Sequence, residues 1–440
     1  MQIPNRIYGE QKYMNILFKG IRLIDPVTSF DEITNLHIVN GIIRQISTND
    51  ITVTDKTEVI DSRKFVAAPG FIDIHCHFRE PGFTHKETLQ TGAMAAANGG
   101  FTEVVCMPNT NPTIDNLIIV EYIKNKSKDL PVTIYPAASI TKERKGESLS
   151  PMLELDEAGA IYFTDDGSCV SSAEVMRRAF EYAAPKDLLL AQHCEEHLLT
   201  KDFAMNEGYI SMKLGLKGYP RIAEEIIINR DIKLAEYLGN RRYHIQHIST
   251  SGAVKTIRNA KVTGARVSCE VTPHHLWFSD DNLKTFDTNY KMNPPLRTDS
   301  DIAALLYGLR DKTIDCIVSD HAPHSVEECE VEFENAPTGI VGLETQIGAI
   351  LTLLHYKQRF ELKEIINLFA INPRTIIGLP QVEIKEGAKA NLTIFSPSER
   401  WTVDKDKFLS KGRNTPFAGI KFIGKPKFII NNNQFIKSEL

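Results

Sequence analysis

Long apolar runs are missing from this 440-residue chain. No stretch of about 18 uncharged apolar residues occurs, and the opening MQIPNRIYGEQKY has no apolar leader core, so neither a membrane span nor a secretion signal is expected. A dominant charge is lacking too. The 51 Lys and Arg against 56 Asp and Glu leave a formal charge of −5, which gives no electrostatic reason to expect nucleic acid or an anionic membrane as partner. Cysteine is sparse: seven residues, an odd number, scattered and mostly within apolar runs such as those of Cys106, Cys269 and Cys316. That pattern excludes a disulfide framework and reads as reduced core thiols in a cytoplasmic protein. Internal repeats and low-complexity segments are absent. What remains is ordinary globular material, 42% hydrophobic and 24% charged, together with 13 His whose placement carries the functional argument.

Both ends of the chain read as short strands. NILFKGIRLID and NLHIVNGIIRQIS, separated by Asp-Pro and Gly turn signals, are matched near the C-terminus by NLTIFSP and FAGIKFIGKPKFIINN. Neither end carries enough apolar residues to fold alone, so residues 1–65 and 380–440 are expected to pair into one small β-sandwich domain. Residues 66–379 differ in character. Eight short apolar runs (GFIDI, EVVCM, VTIYPAAS, AIYFT, LLLAQ, YHIQ, RVSCEV and DCIVS) alternate with segments of helical period such as SAEVMRRAFEYAA. No Gly-rich G-x-G-x-x-G turn follows any of them, so the fold class predicted is α/β, a (β/α)8 TIM-like barrel flanked by the small β domain.

In such a barrel functional groups follow the strands at the C-terminal face, and that is where the polar residues fall. The first run ends in His75-Cys76-His77, the fourth in Thr164-Asp165-Asp166-Gly167, the fifth in His193, the sixth in His247, and the eighth in Asp320-His321 with His324 beyond. His75 and His77, two apart on an extended chain, point to one side while Cys76 faces the other. Imidazoles with Asp166 and Asp320 suit one or two borderline metal ions such as zinc, a carboxylate being able to bridge a pair. Hydrolysis, or its reverse, at an amide-like carbon is the chemistry implied, with Asp320 placed to move the proton. His193-Cys194-Glu195-Glu196-His197 also matches the metalloprotease string H-x-x-E-H, but that string needs a helix, and LLLAQ before it reads as a strand. Only His193 is therefore expected in the mouth, with His197 early in the next helix.

The ordered motifs GFIDIHCHFREPG, VVCMPNT, FTDDG, AQHCE, IQHIS, KMNPPLR, VSDHAPH and APTGIVGLET resemble those of the dihydroorotases, in the class I branch of the amidohydrolase superfamily. The resemblance covers nearly the whole chain. It implies the reversible interconversion of N-carbamoyl-L-aspartate and L-dihydroorotate, the third step of pyrimidine (UMP) biosynthesis, by a zinc enzyme holding one or two ions. Its implied metal ligands are His75, His77, Asp166, His193, His247 and Asp320, with Asp320 also the catalytic acid and base. Its implied substrate contacts are Arg79, Asn109, Asn293, His324 and the backbone at Thr338 and Gly339. Arg79, two residues past His77 on what reads as an extended segment, would meet the carboxylate that is not consumed. A homodimer, with association with aspartate transcarbamoylase as a further partner, is also implied.

Hydantoinases and allantoinases share several of these motifs but usually bridge their metals with a carboxylated Lys, and no Lys ends the AIYFTDDG run. An inactive dihydroorotase-like scaffold would typically lack ligands, and all are present. Of the other His, His274 and His275 are expected behind the site or in the core, and His37 and His244 as packing residues. The Glu-rich segment 325–337 is expected to be a solvated acidic loop or the edge of a mobile flap, and residues 1–13 an extension of the β domain.

Overall fold

The computed structural model describes residues 14–440, so the extension expected over residues 1–13 lies outside them. The chain opens with β1 (Asn15–Asp25), β2 (Phe30–Val39), β3 (Ile42–Ser47), β4 (Glu58–Asp61) and β5 (Val66–Pro69). Local chemistry sets the turns. The Asp25 carboxylate accepts the Val27 amide at 2.9 Å and, from far along the chain, that of Ile384 at 2.9 Å. Asn40 and Gly41, at φ 48° and 71°, supply the left-handed pair that a two-residue hairpin requires.

The barrel strands follow: β6 (Phe71–Cys76), β7 (Phe101–Cys106), β8 (Thr133–Pro136) and β9 (Leu190–Gln192), a short excursion β10 (Met205–Asn206) with β11 (Gly218–Tyr219), then β12 (Tyr243–Ile245), β13 (Val267–Val271) and β14 (Cys316–Ile317). The chain ends in β15 (Leu392–Thr402), β16 (Lys421–Asn431) and β17 (Gln434–Lys437). Strands from both ends form one sheet in the order β17-β16-β15-β5-β1-β2-β3, with β4 paired to β1. Ile43 of β3 and Phe428 of β16 lie in the same apolar core, so this sheet is folded over itself, as the small β domain built from both ends anticipated.

Around the barrel all pairings are parallel, β6-β7-β8 on one side and β9-β12-β13-β14 on the other. Two seams close the ring. Cys76 bridges His321, and Phe163 bridges Ala138 and Leu190. The strand expected over residues 160–164 is thus reduced to one bridging residue. It runs only from Gly159, left-handed at φ 107°, to Asp165, whose carboxylate is held by the amide and hydroxyl of Thr141. Its parallel ladder survives as Ile161 N to Pro136 O at 2.9 Å and Phe163 N to Leu189 O at 3.1 Å. The segment SAEVMRRAFEYAA is helical as expected, Ala173–Ala183 capped by Ser172, and further helices run over Leu89–Asn98, with a Thr88 capping box, and Ile222–Tyr237. Among the described residues no helix is long and apolar enough to cross a membrane.

The junction between sheet and barrel lies later than position 66. Val66–Pro69 pairs with β1 and β15, so the chain leaves the small sheet at Gly70. There a Cβ would come within 1.8 Å of Asn391 Oδ1 and 2.2 Å of Thr102 Oγ1, so only glycine lets the two units approach. Gly70→Ala should therefore cost about 1–3 kcal/mol through overpacking. Chemical denaturation followed by circular dichroism tests this, and an unchanged midpoint would contradict it.

Candidate metal centre

The strand ends bring six predicted ligands to one buried point. His75 ends its strand within β6, His77 follows it, and Asp166, His193, His247 and Asp320 arrive from the loops after the fourth, fifth, sixth and eighth barrel positions. Asp166 is at their centre and its two oxygens face different pairs. Oδ2 lies 3.4 Å from His75 Nε2 and 3.4 Å from His77 Nε2, whereas Oδ1 lies 3.4 Å from His247 Nε2 and 3.9 Å from His193 Nδ1. Asp320 Oδ1 is 3.0 Å from His77 Nε2 and 3.5 Å from His75 Nε2. Two ligand triads result, His75/His77/Asp166 and Asp166/His193/His247, sharing one carboxylate. The neighbouring Asp165 turns away to Thr141.

These residues fit a metal. His75 Nε2 and Asp166 Oδ1 are fully buried and have no hydrogen-bond partner, which a desolvated nitrogen lone pair and a carboxylate oxygen do not tolerate without a cation between them. Backbone strain sits at the same place: His247 at φ 29° and Asp320 at φ 47° are non-glycine residues in the left-handed region.

Behind the ligands a row of acceptors fixes which nitrogen each imidazole offers. Glu270 Oε1 takes His75 Nδ1 at 2.5 Å, Asn109 Oδ1 takes His77 Nδ1 at 2.9 Å, and Glu195 Oε2 takes His193 Nε2 at 2.8 Å. With those N–H groups engaged, His75 and His77 turn Nε2 inward and His193 turns Nδ1 inward. Glu270 also receives His244 Nε2 at 3.0 Å, and His244 Nδ1 lies 2.8 Å from Ser268 Oγ. A packing role expected for His244 is therefore incorrect: its face of β12 is polar because it meets Glu270 across β13. Cys316 completes a grouping with His244 and Glu270, but both carboxylate oxygens are already taken there and burial drives the thiol well above its ordinary range.

Electrostatics follow from this packing. Burial opposes charge on His75, but Asp166 and Glu270 outweigh it and hold its pKa well above 6.5; at His193 burial is likewise outweighed by Glu195. Burial would raise Asp166 and Asp320, yet the surrounding imidazoles, His75 first, bring both carboxyls well below the ordinary range. Glu270, buried as well, falls to about 2 against His75 and His244.

Around this centre the other predicted residues are arranged unevenly. Arg79 is not on an extended continuation of β6: its φ is 58°, because the chain turns back where Glu80 N meets Phe78 O at 2.6 Å. Its guanidinium is lowered to about 10 by burial, and among the described residues it makes no ion pair. Glu80 pairs with Lys126 and Tyr122, and Glu87 bonds Thr91, Ser410 and His321, so neither answers Arg79. Asn293 Nδ2 donates to Glu195 Oε2 at 2.9 Å, leaving its buried Oδ1 without a partner. His324 Nε2 lies 3.0 Å from Thr338 O, and burial with Arg79 and Lys86 nearby pushes it down to about 3, so it is neutral. Gly339, at φ 115° with a Cβ position 2.7 Å from Ala322 Cβ, has its N–H on Lys291 O and its carbonyl on Asn414. His275 is locked between Thr272 and Pro294 O, beside Asn293, while burial lowers His274 to about 4. His197 opens the helix His197–Thr200 and turns Nε2 to the Cys169 amide, away from the metal ligands.

The Glu-rich segment is held rather than loose. It contains a helical turn, Val326–Cys329, capped by Ser325; Phe333 is buried; and Lys291 Nζ donates to Glu334 O and Ala336 O at 2.7 and 2.8 Å.

A sequence model of the family described as Dihydro-orotase-like matches residues 64–253. The dihydroorotase of Geotalea daltonii is 44% identical over 96% of this chain and 99% of its own length, and that of Pelotomaculum thermopropionicum 44% identical over 94% and 96%. The chain belongs to the dihydroorotase family. Among solved structures, an L-hydantoinase from Arthrobacter aurescens superimposes with a TM-score of 0.85 at 22% identity, covering 97% of this chain and 96% of that one. A dihydropyrimidinase from Brevibacillus agri gives 0.83 at 20% identity over 97% and 96%. These two share the fold, a barrel of parallel strands flanked by a small β domain.

Within this dihydroorotase framework, sequence reasoning passed over Glu195, Glu270 and Arg144. Glu195 carried a signal, since it stands two residues after His193 as His77 does after His75. Glu270, within β13, carried none, because its role shows only when β13 lies beside β12. Arg144, whose Nη1 donates to Asp166 O at 2.7 Å, carried none, because only the folded loop brings it there.

A sign follows for metal uptake. Protons held on His75 and His193 above the usual imidazole pKa must leave before a metal enters, so affinity should fall as pH falls, about tenfold per unit for each proton displaced. Calorimetric zinc titration of metal-stripped protein at pH 6 and pH 8 should show weaker binding with proton release at pH 6. Equal affinity at the two values would contradict this.

Proposed function

We propose that this chain is a zinc-dependent dihydroorotase, closing N-carbamoyl-L-aspartate to L-dihydroorotate with loss of water, and the reverse, in pyrimidine biosynthesis. The observation that carries the reading is the Asp166 carboxylate shared between the His75/His77 and His193/His247 pairs with Asp320 beside them, in a chain 44% identical over nearly its full length to a dihydroorotase. A pair of zinc ions would be held by His75, His77, Asp166 and Asp320 on one side and by Asp166, His193 and His247 on the other. When bound, zinc supplies Lewis acidity that makes water nucleophilic near neutral pH and polarises the amide carbonyl.

The chain's own residues supply proton transfer and orientation. Asp320, held as a carboxylate by the imidazoles around it, is in the form that accepts a proton. In hydrolysis it takes that proton from the attacking water and delivers it to the ring nitrogen that leaves; in ring closure the order reverses. Arg79, half-buried with no ion-pair partner among the described residues, supplies the forked donor for the carboxylate that the reaction leaves intact. Asn109 has its Oδ1 on His77 and so presents its NH2 to the substrate, with neutral His324 and the backbone at Thr338 as further contacts, while the Gly339 N–H and carbonyl are taken by Lys291 and Asn414. The homodimer belongs to the same reading, and sedimentation of the purified protein at a mass of two chains is the outcome expected.

Purified protein should turn over dihydroorotate and leave hydantoin and allantoin untouched; the opposite preference would overturn the assignment. Asp320→Asn should lower kcat for dihydroorotate by about 10²–10⁴ while the protein stays folded. Retained turnover would remove Asp320 as the proton carrier. Arg79→Lys should raise KM far more than it lowers kcat, since the bidentate fork is lost while the charge is kept.

A further inference from the structure

Glu195 lies outside the ligand set and the substrate contacts, yet it touches one of each. Its Oε2 accepts His193 Nε2 at 2.8 Å and Asn293 Nδ2 at 2.9 Å. Its other oxygen is fixed by the Thr200 hydroxyl, with His197 Nδ1 at 3.4 Å, so the carboxylate cannot swing without breaking contacts on both sides. The group is buried, and the Asn293 Oδ1 that this arrangement leaves behind is buried with no partner.

We propose that Glu195 is a positioning residue that couples the His193/His247 metal pair to substrate recognition. By taking the Nε2 proton of His193 it makes Nδ1 the ligand atom, and by taking the Asn293 NH2 it makes the Asn293 carbonyl the group that meets the substrate. The Asn293 pair is the counterpart of Asn109, whose carbonyl is spent on His77 and whose NH2 is free. Asn109 thus offers a donor and Asn293 an acceptor. The acceptor selects an N–H of the ureido or ring amide, the feature that an ester or a plain carboxylate of the same shape lacks. A free Asn side chain could turn either way; here the metal ligand's own anchor decides.

This inference rests on the two-zinc dihydroorotase reading, and the experiment separates the two. Zinc binding to metal-stripped protein is measured by competition with a chromophoric chelator, and KM and kcat for dihydroorotate are measured at saturating zinc. The proteins compared are wild type, Glu195→Ala, Asn293→Ala, the double variant and Glu195→Gln. Wild type that fails to bind two zinc ions or to turn over dihydroorotate defeats the functional reading itself. With wild type behaving as expected, Glu195→Ala should weaken one zinc step about 10–100-fold and leave the other intact. It should also raise KM, and adding Asn293→Ala should raise KM no further. Asn293→Ala alone should raise KM with both zinc steps unchanged. Glu195→Gln keeps an acceptor oxygen for both donors, so KM should stay within about twofold of wild type while the same zinc step weakens less than in the Ala variant. That variant carries the test if Glu195→Ala does not fold. Additive KM effects of the two Ala substitutions, two zinc steps weakened alike or not at all, or a raised KM in Glu195→Gln with unchanged zinc binding would overturn the coupling.

Discussion

Everything in this molecule's functional face depends on one carboxylate held dry among four imidazoles. Asp166 presents each of its oxygens to a different histidine pair at 3.4 to 3.9 Å, and one of those oxygens has no hydrogen bond at all. Taking a carboxylate out of water costs several kcal/mol, and a unit positive charge at 3.4 Å returns about 5 kcal/mol at an effective dielectric of 20. A divalent ion on each side would offset the burial. The surrounding acceptors Glu270, Asn109 and Glu195 follow from the same constraint. Each ties down the outward nitrogen of a histidine so that its inward nitrogen carries a lone pair.

The fold exists to hold these groups in register. Parallel strands put all their C-terminal ends on one face, and the closing bridge between Cys76 and His321 brings the His75/His77 pair next to Asp320. The small sheet buttresses the barrel from outside: Asn431 Nδ2 donates to Thr102 O and Pro131 O, and Gly70 lets β5 pass directly into β6. Strained backbone at His247 and Asp320 persists because the barrel over-determines it.

Much of this was legible in the chain. Alternating runs gave the barrel, and the six proposed metal ligands stood within a few positions of the ends of their runs, where a barrel places them. Groups whose role depends on contacts between distant segments were not legible. Glu270 reads as one more polar residue until β13 lies beside β12 and meets His244, and Arg144 becomes part of the site only when its loop folds over Asp166. Arg79 shows the opposite failure. Two-residue spacing suggested a continued strand, but its φ of 58° turns the chain and brings the guanidinium in from a loop. The fourth strand shrank to Phe163 because Gly159 and Asp165 bracket it closely, a limit that apolar content does not reveal.

The proposed two-metal centre turns on whether two ions share the Asp166 carboxylate. Anomalous diffraction at the zinc edge, from crystals grown with zinc, decides this. Two peaks are predicted, one between Asp166 and the His75/His77 pair and one between Asp166 and the His193/His247 pair. A single peak at full zinc saturation, or peaks that do not touch the Asp166 carboxylate, would contradict it.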